Sequence, residues 1–115
     1  EQSDFSIDGG YAAAERMLQR ANDVDGIFCA TDSIAIGAMN RLEQYGRRVP
    51  EDVALAGIGH SRLGELIRPR LTTAHYYYQT SGEEAAKDLI EMIEQGMDRK
   101  KQLKLGFEIR LGETT

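Results

Sequence analysis

Short apolar runs alternate along the chain with stretches whose apolar residues recur at helical spacing. The helical spacing predicts three long helices and a short one, over residues 9–21, 33–45, 82–95 and 63–67. The apolar and alternating runs predict four strands, over residues 26–30, 53–57, 71–78 and 103–111. An order in which helices and strands alternate predicts an α/β fold, a Rossmann-like parallel sheet flanked by helices, in one domain over 1–115.

Several local signals set the expected ends and faces of these elements. Asp8 is placed to cap the first helix, and Gly46 and Gly96 are placed to end later helices in the left-handed conformation. The run 26–30 is apolar throughout, which predicts a strand buried on both faces with Cys29 as a small buried side chain. Alternation over 103–111 predicts a strand with one buried face.

Polar loops follow the first two predicted strands. Thr31 and Asp32 come directly after one strand, and Gly59, His60 and Ser61 come after the next. The carboxyl ends of parallel strands share one edge of a sheet, where open α/β folds bind small molecules. The sequence therefore predicts a small-molecule cleft between two facing loops.

Composition excludes several classes of function. A formal net charge of −5 disfavours a nucleic-acid surface in these residues, because phosphate binding needs clustered Lys and Arg. No apolar run approaches the roughly 20 residues of a membrane-spanning helix. The single cysteine cannot form an internal disulfide, and the first residue, Glu1, leads us to expect a natural start farther upstream.

The sequence gives only weak support for a catalytic site or a metal site. Asp32, His60 and Ser61 are the residue types of a hydrolytic triad, but the chain has no nucleophile elbow to fix them. His60, His75 and Asp32 lack the paired spacing of metal ligands. We therefore expect no catalytic residue, no metal site and no cofactor. Asp32 is equally interpreted as a helix-start residue or as a ligand contact.

Four motifs carry a family resemblance, at 4–11 (DFS followed by GY), 29–38 (CATDSIAIGA), 48–53 (RVPEDV) and 69–73 (PRLTT). Together they resemble the C-terminal effector-binding region of LacI/GalR-family transcription repressors, which have the periplasmic-binding-protein-like fold. Segments 57–61 and 75–82 are similar to those of sucrose-operon repressors. VPEDV and PRLTT favour cytoplasmic repressors over the alternative, an exported sugar-binding protein that serves a transporter.

The resemblance implies a sugar or sugar-phosphate effector and a set of residues that bind it: Asp4, Phe5, Thr31, Asp32, Gly59, His60, Ser61 and Tyr76. Phe5 would stack on the sugar. The family's usual Phe-Asp-Asp is replaced by Ile58-Gly59-His60, so the hydroxyl contacts would fall to His60, Ser61 or Tyr76. Strand packing is the simpler explanation of Tyr76. Backbone N–H groups exposed at Gly59 would favour an anion and hence a sugar phosphate.

The resemblance also implies a homodimer, with Ile36, Leu63, Leu66 and Ile67 at its interface. Ile36 lies off the apolar stripe of its predicted helix, as expected of a second buried surface. Operator DNA would be bound by a helix-turn-helix outside this chain, and effector binding would close two lobes. Only part of the second lobe is present, so we expect helix 82–95 to lose apolar cover, with domain swapping, altered packing or marginal stability.

Overall fold

The structure, a computed structural model, describes residues 1–21, 23–96 and 100–115. Its elements in chain order are α1 (Ile7–Arg20), β1 (Gly26–Phe28), α2 (Asp32–Gln44), β2 (Ala54–Ile58), α3 (Arg62–Leu66), β3 (Thr72–Tyr76), α4 (Tyr78–Gln95) and β4 (Phe107–Arg110). The four strands form one sheet in the order β1-β2-β3-β4, and β2 pairs in parallel with both β1 and β3. The predicted α/β class is confirmed.

The chain divides into two compact units. The first comprises Glu1–His75 and Ile109–Thr115, and the second comprises Tyr76–Glu108. The first unit holds the hydrophobic core, which lies between the sheet and the two long helices α1 and α2. Its buried apolar residues are Ala14, Leu18, Cys29, Ala35, Ala38, Met39, Leu42, Val53, Leu55 and Leu71.

Helix α2 forms largely as its sequence predicts. The Thr31 hydroxyl caps its start by accepting a hydrogen bond from the Ile34 N–H. Gly46 follows its end with a φ of +73°, the left-handed conformation expected of a terminating glycine. The cap of α1 differs from the prediction, because Ser6, rather than Asp8, accepts a hydrogen bond from the Gly9 N–H at 2.9 Å.

Helices α1 and α2 pack at very short range through two glycines. A Cβ on Gly10 would overlap the Ile34 carbonyl, and a Cβ on Gly37 would overlap the Ile7 carbonyl. This packing covers a second side of α2, and the helix is buried at every residue from 35 to 39. Ile36, expected to mark a second buried surface, is 5% exposed within the chain itself, and its place in a dimer interface stays a prediction.

Strand β1 lies at the edge of the sheet. Its predicted burial on both faces is wrong, because Phe28 is 70% exposed and Gly26 is also exposed. The exposed side of β1 borders an open groove, which both Gly26 and Phe28 line. Cys29, just past the strand, is buried as predicted, and this burial raises the pKa of its thiol to about 11.

The junction between β3 and α4 lies earlier than the sequence predicts. The strand ends at Tyr76 rather than Tyr78, and α4 begins four residues before Gly82. The N-cap residue Tyr77 makes no side-chain capping bond, so the helix start carries no capping signal. Gly96 ends the helix with a φ of +59°, as predicted.

The apolar face of α4 is uncovered, as expected from the sequence. None of its residues is buried, and Leu89, Ile90 and Ile93 are more than half exposed. Strand β4 is shorter than predicted, and its expected buried face is wrong because Phe107 and Ile109 are both exposed. Domain swapping and marginal stability stay predictions.

The last four residues of the chain fold back on β2 and β3. The Thr72 N–H donates a hydrogen bond to the Thr114 hydroxyl oxygen at 2.9 Å. The Gly112 N–H donates to the Thr72 hydroxyl oxygen, and the Glu113 N–H donates to the Arg70 carbonyl oxygen. Thr114 is fully buried by these contacts, so the C-terminus is an integral part of the first unit.

Candidate functional site

The two loops predicted to face each other are directly bonded. The Ser61 N–H donates a hydrogen bond to Asp32 Oδ2 at 2.6 Å, which joins the start of α2 to the loop after β2. Both segments lie beyond the carboxyl ends of parallel strands, where α/β sheets present their binding loops. The predicted juxtaposition of Thr31–Asp32 with residues 59–61 is therefore confirmed.

Asp32 is buried and already bonded within the protein. It is 2% exposed, and its second carboxylate oxygen, Oδ1, accepts a hydrogen bond from the Thr73 hydroxyl at 2.6 Å. Thr73 Oγ1 in turn accepts a hydrogen bond from the His60 N–H at 3.1 Å. Asp32 therefore stands at the centre of a network that joins α2, β3 and the loop after β2.

The backbone of this loop does not offer the anion site expected from Gly59. The Gly59 N–H donates to the Ala74 carbonyl oxygen at 2.9 Å, and the next two N–H groups donate to Thr73 and Asp32. Three successive donors are thus used inside the protein. The predicted nest for a sugar phosphate is wrong, because the donors that would form it are already bonded.

His60 has a left-handed backbone, with a φ of +53°, and a partly exposed side chain. Its Nε2 atom lies 3.3 Å from Glu65 Oε1, and its ring meets the ring of His75 edge-on at 4.9 Å. Its Nδ1 atom is buried without a hydrogen-bond partner within the described part of the chain. Asp32 bonds the backbone of Ser61 rather than the imidazole, so this arrangement differs from that of a hydrolytic triad.

Asp4 and Phe5 line an open groove of about 1580 Å³ beside β1 and α1. Phe5 is 74% exposed, so its ring is free to stack on a ligand. Asp4 accepts a hydrogen bond from the Ser6 hydroxyl at the start of α1. Ala30 and Ile34 also line the groove, so the groove reaches the start of α2.

Tyr76 belongs to the second unit. It is 39% exposed, and its ring packs edge-on against Tyr78 at 5.9 Å and against Phe107 at 6.3 Å. These contacts agree with the packing interpretation of the tyrosine run. Its role as an effector contact stays a prediction.

Sequence reasoning missed Thr73 as a site residue. The threonine was recognised only as part of the PRLTT motif, yet it bonds both Asp32 and the His60 backbone. In the sheet it pairs with Gly57, just before the loop of residues 59–61, and it is 4% exposed. A hydroxyl side chain in a strand that is otherwise expected to be buried is the signal that could have identified it.

The predicted dimer residues have different environments. Leu63 and Leu66 on α3 are 46% and 66% exposed, so they are accessible at the surface. Ile67 is partly buried and packs against the main hydrophobic core, and Ile36 lies within the protein. Only the two leucines of α3 are therefore well exposed for contact with a partner.

Two negative findings apply to residues 1–21, 23–96 and 100–115. None of the helices there has the length and apolar character needed to cross a bilayer. Across the same residues, no three His, Cys, Asp or Glu side chains come together as metal ligands.

An open sheet with three parallel strands and bonded loops beyond their ends is the architecture of α/β domains that bind small molecules at this edge. Comparison with known proteins gives the family: the chain belongs to the periplasmic binding protein-like domain family, which matches residues 1–115. It is 40% identical over 90 residues to the HTH-type transcriptional regulator CelR of Thermobifida fusca, covering 78% of this chain and 26% of that protein.

Solved structures give the same result. A structure described as a transcriptional regulator CelR–cellobiose complex matches with a TM-score of 0.94 and 34% identity, covering 98% of this chain and 35% of that one. A LacI family transcriptional regulator from Arthrobacter sp. FB24, in complex with lactose, matches with a TM-score of 0.87 and 29% identity, over 98% of this chain and 43% of that one. The predicted resemblance to LacI-family regulators is confirmed.

The chain spans about a quarter of the length of the regulator CelR and about a third of the chain in its cellobiose complex. The proteins named here are transcriptional regulators rather than enzymes or transporter components. The alternative of an exported sugar-binding protein therefore lacks support.

Proposed function

We propose that this chain is the sugar-sensing part of a LacI-family transcriptional regulator and is not an enzyme. The observation that carries the proposal is its match, over 98% of its length, to a regulator solved with cellobiose. Two features support the proposal: an exposed aromatic ring on an open groove, and polar loops beyond the strand ends, outside the residues that line this groove.

The effector is a neutral sugar rather than a sugar phosphate. The backbone donors of residues 59–61 are used within the protein, so they offer no nest for a phosphate. The chain also carries a formal net charge of −5, which opposes the approach of an anion. Cellobiose and lactose, the ligands named with two matching regulators, are neutral disaccharides.

Within this site, Phe5 stacks on the apolar face of a sugar ring. Its 74% exposure leaves most of the ring available for contact. Thr31, His60 and Ser61 contact sugar hydroxyls from the ends of β1 and β2, with Asp4 and Tyr76 as further polar contacts. Gly59 makes no side-chain contact with the sugar. Its φ of +133°, which suits glycine, allows the turn that leads into His60.

The protein acts in the cytoplasm as a homodimer on operator DNA. The DNA is bound by a separate helix-turn-helix segment, as the name of the HTH-type relative indicates, because the acidic chain described here is unsuited to phosphate contacts. Leu63 and Leu66 lie at the surface of α3, and there they contact the partner protomer. Sugar binding stabilises one arrangement of the lobes and so shifts the population that binds the operator.

Thermal unfolding of the chain with a panel of sugars tests this proposal. Cellobiose, lactose, sucrose and glucose 6-phosphate are each added at rising concentration to the wild type, Phe5→Ala and Phe5→Leu. A neutral disaccharide at about one hundred times its dissociation constant should stabilise the wild type by about 2.7 kcal/mol. Phe5→Ala should abolish the shift, and Phe5→Leu, which keeps apolar bulk but no ring, should weaken it.

Two results would contradict the proposal. A response to glucose 6-phosphate without any response to neutral sugars would overturn the choice of a neutral effector. Equal shifts in the wild type and Phe5→Ala would remove the stacking role of Phe5.

A further inference from the structure

Both carboxylate oxygens of Asp32 are bonded within the protein, and the side chain is shielded from an effector by its burial. Oδ2 accepts the Ser61 N–H and Oδ1 accepts the Thr73 hydroxyl, both at 2.6 Å. The side chain is buried, and a buried carboxylate requires such partners to offset the loss of water. These bonds make Asp32 part of the protein's interior rather than of its ligand-facing surface.

The backbone around Asp32 is shaped to the carboxylate. A Cβ on Gly57 would lie 2.6 Å from Asp32 Oδ1, so no side chain fits at that position without displacing the carboxylate. Gly57 also pairs with Thr73 in the sheet, which places the hydroxyl donor beside the same carboxylate. Strands β2 and β3 thus form one wall around the Asp32 side chain.

The loop that Asp32 holds has a backbone that needs support. Gly59 and His60 both have positive φ angles, +133° and +53°, and the second is disfavoured for a residue with a side chain. Two of the three N–H bonds that fix this turn depend on the network: His60 N–H to Thr73 and Ser61 N–H to Asp32. The conformation of the loop therefore depends on the Asp32–Thr73 pair.

We propose that Asp32 is a positioning residue for the effector site and that Thr73 is its partner. Together they hold residues 59–61 in the conformation that presents the His60 imidazole and the Ser61 side chain to a sugar. This inference rests on the proposed function for its consequence in binding, but its structural part can be measured without any sugar.

The variants Asp32→Asn and Thr73→Val test the two bonds separately. Asp32→Asn keeps the size of the side chain but removes its charge, so the Ser61 N–H loses its ionised acceptor whichever way the amide is turned. Thr73→Val keeps the branched shape and removes the hydroxyl. Thr73→Ser restores the hydroxyl and is the matched control.

Amide hydrogen exchange of the ligand-free chain, followed by NMR, reports the loop directly. We expect exchange at Ser61 to accelerate about tenfold or more in Asp32→Asn, and at His60 in Thr73→Val, because a lost hydrogen bond lowers local protection. Thr73→Ser should retain wild-type exchange. The amides of α1 should be unchanged in each folded variant, which excludes general destabilisation.

Cellobiose binding by the same variants measures the functional consequence. We expect the dissociation constant to rise about tenfold in Thr73→Val, equivalent to about 1.4 kcal/mol, and to recover in Thr73→Ser. Unchanged exchange at residues 60 and 61 in Thr73→Val would overturn the proposal, whether or not Asp32→Asn folds. Weakened binding with unchanged exchange would instead make Asp32 or Thr73 a direct sugar contact. If the wild type binds no sugar, the proposed function fails while the exchange result still decides the positioning role.

Discussion

Thr114 and Leu55 exchange two hydrogen bonds across 59 positions of sequence. The Thr114 hydroxyl donates to the Leu55 carbonyl oxygen at 2.6 Å, and the Leu55 N–H donates to the Thr114 carbonyl oxygen at 2.7 Å. Both residues are fully buried. The pair fixes the end of the chain against the central strand β2, so the C-terminus contributes directly to the stability of the first unit.

Replacing Thr114 by valine should destabilise the chain by about 2–4 kcal/mol. The hydroxyl serves both the Leu55 carbonyl and the Thr72 N–H, and each buried group left without a partner costs about 1–3 kcal/mol. Urea unfolding measures the change. Thr114→Ser is the control, since it keeps the hydroxyl and should lose only about 1 kcal/mol with the methyl group. A larger loss for serine than for valine would contradict the role of the hydroxyl.

Substituting alanine for Gly37 should disrupt the packing of α1 on α2. The added Cβ would overlap the Ile7 carbonyl, and such overpacking costs about 1–3 kcal/mol. Gly82→Ala is the matched control, because nothing lies within 4 Å of a Cβ at that position in α4. There alanine should stabilise the helix by about 0.5–1 kcal/mol. Similar unfolding midpoints for the two variants would show that the helices do not meet as described.

The thiol of Cys29 should be unreactive in the folded chain. Burial raises its pKa from 9.0 to about 11, so almost no thiolate forms at pH 8, and reagent access is also blocked. Labelling with a chromogenic disulfide should therefore be slow in buffer and rapid in urea. Because the folded-state pKa is raised, the protonated thiol's contribution to stability is complete below pH 9 and is lost as the pH rises toward 11. The free energy of unfolding of the wild type should therefore fall relative to that of Cys29→Ala over that range. Rapid labelling in buffer would contradict the burial of Cys29.

The ion pair between Arg48 and Asp52 should make a contribution to stability that acid removes. Side-chain hydrogen bonds from Arg48, followed by a bond from its backbone N–H, lower the pKa of Asp52 from 3.8 to about 2. The contribution is therefore present above pH 3.8 and is lost as the pH falls through about 2. Asp52→Asn should be less stable than the wild type at neutral pH, with the gap closing over that interval. A gap that stays constant down to pH 2 would rule out this pairing.

Much of the fold follows from patterns in the sequence, and the exceptions have physical causes. The buried stripe of α2 and the left-handed turn at Gly46 are local features, and both were predicted correctly. The burial of Ile36 depends instead on α1 packing through Gly10 and Gly37, which periodicity within one helix cannot reveal. Phe28 is exposed because it borders an open groove, and the local sequence pattern does not reveal which face of a strand lacks cover.

The candidate site was predictable in its place but not in its bonding. Strand order and polar loops were sufficient to bring Asp32 and residues 59–61 together. The sequence does not reveal which acceptor each backbone donor finds, and for this reason the prediction of an anion site at Gly59 fails: its N–H is bonded to Ala74. Thr73 was missed because its role comes from pairing with Gly57 in the sheet, a contact between distant parts of the sequence.

An NMR titration of the labelled chain with cellobiose and lactose tests the central claim, that the loops after β1 and β2 bind a neutral sugar. We expect saturable amide shifts at Thr31, His60 and Ser61, accompanied by shifts of the Phe5 ring, with the amides of α4 unchanged. His60→Asn, which tolerates the left-handed backbone but removes the imidazole, should weaken binding while the chain stays folded. Shifts confined to other surfaces, or no shifts at these residues with either sugar, would contradict the claim.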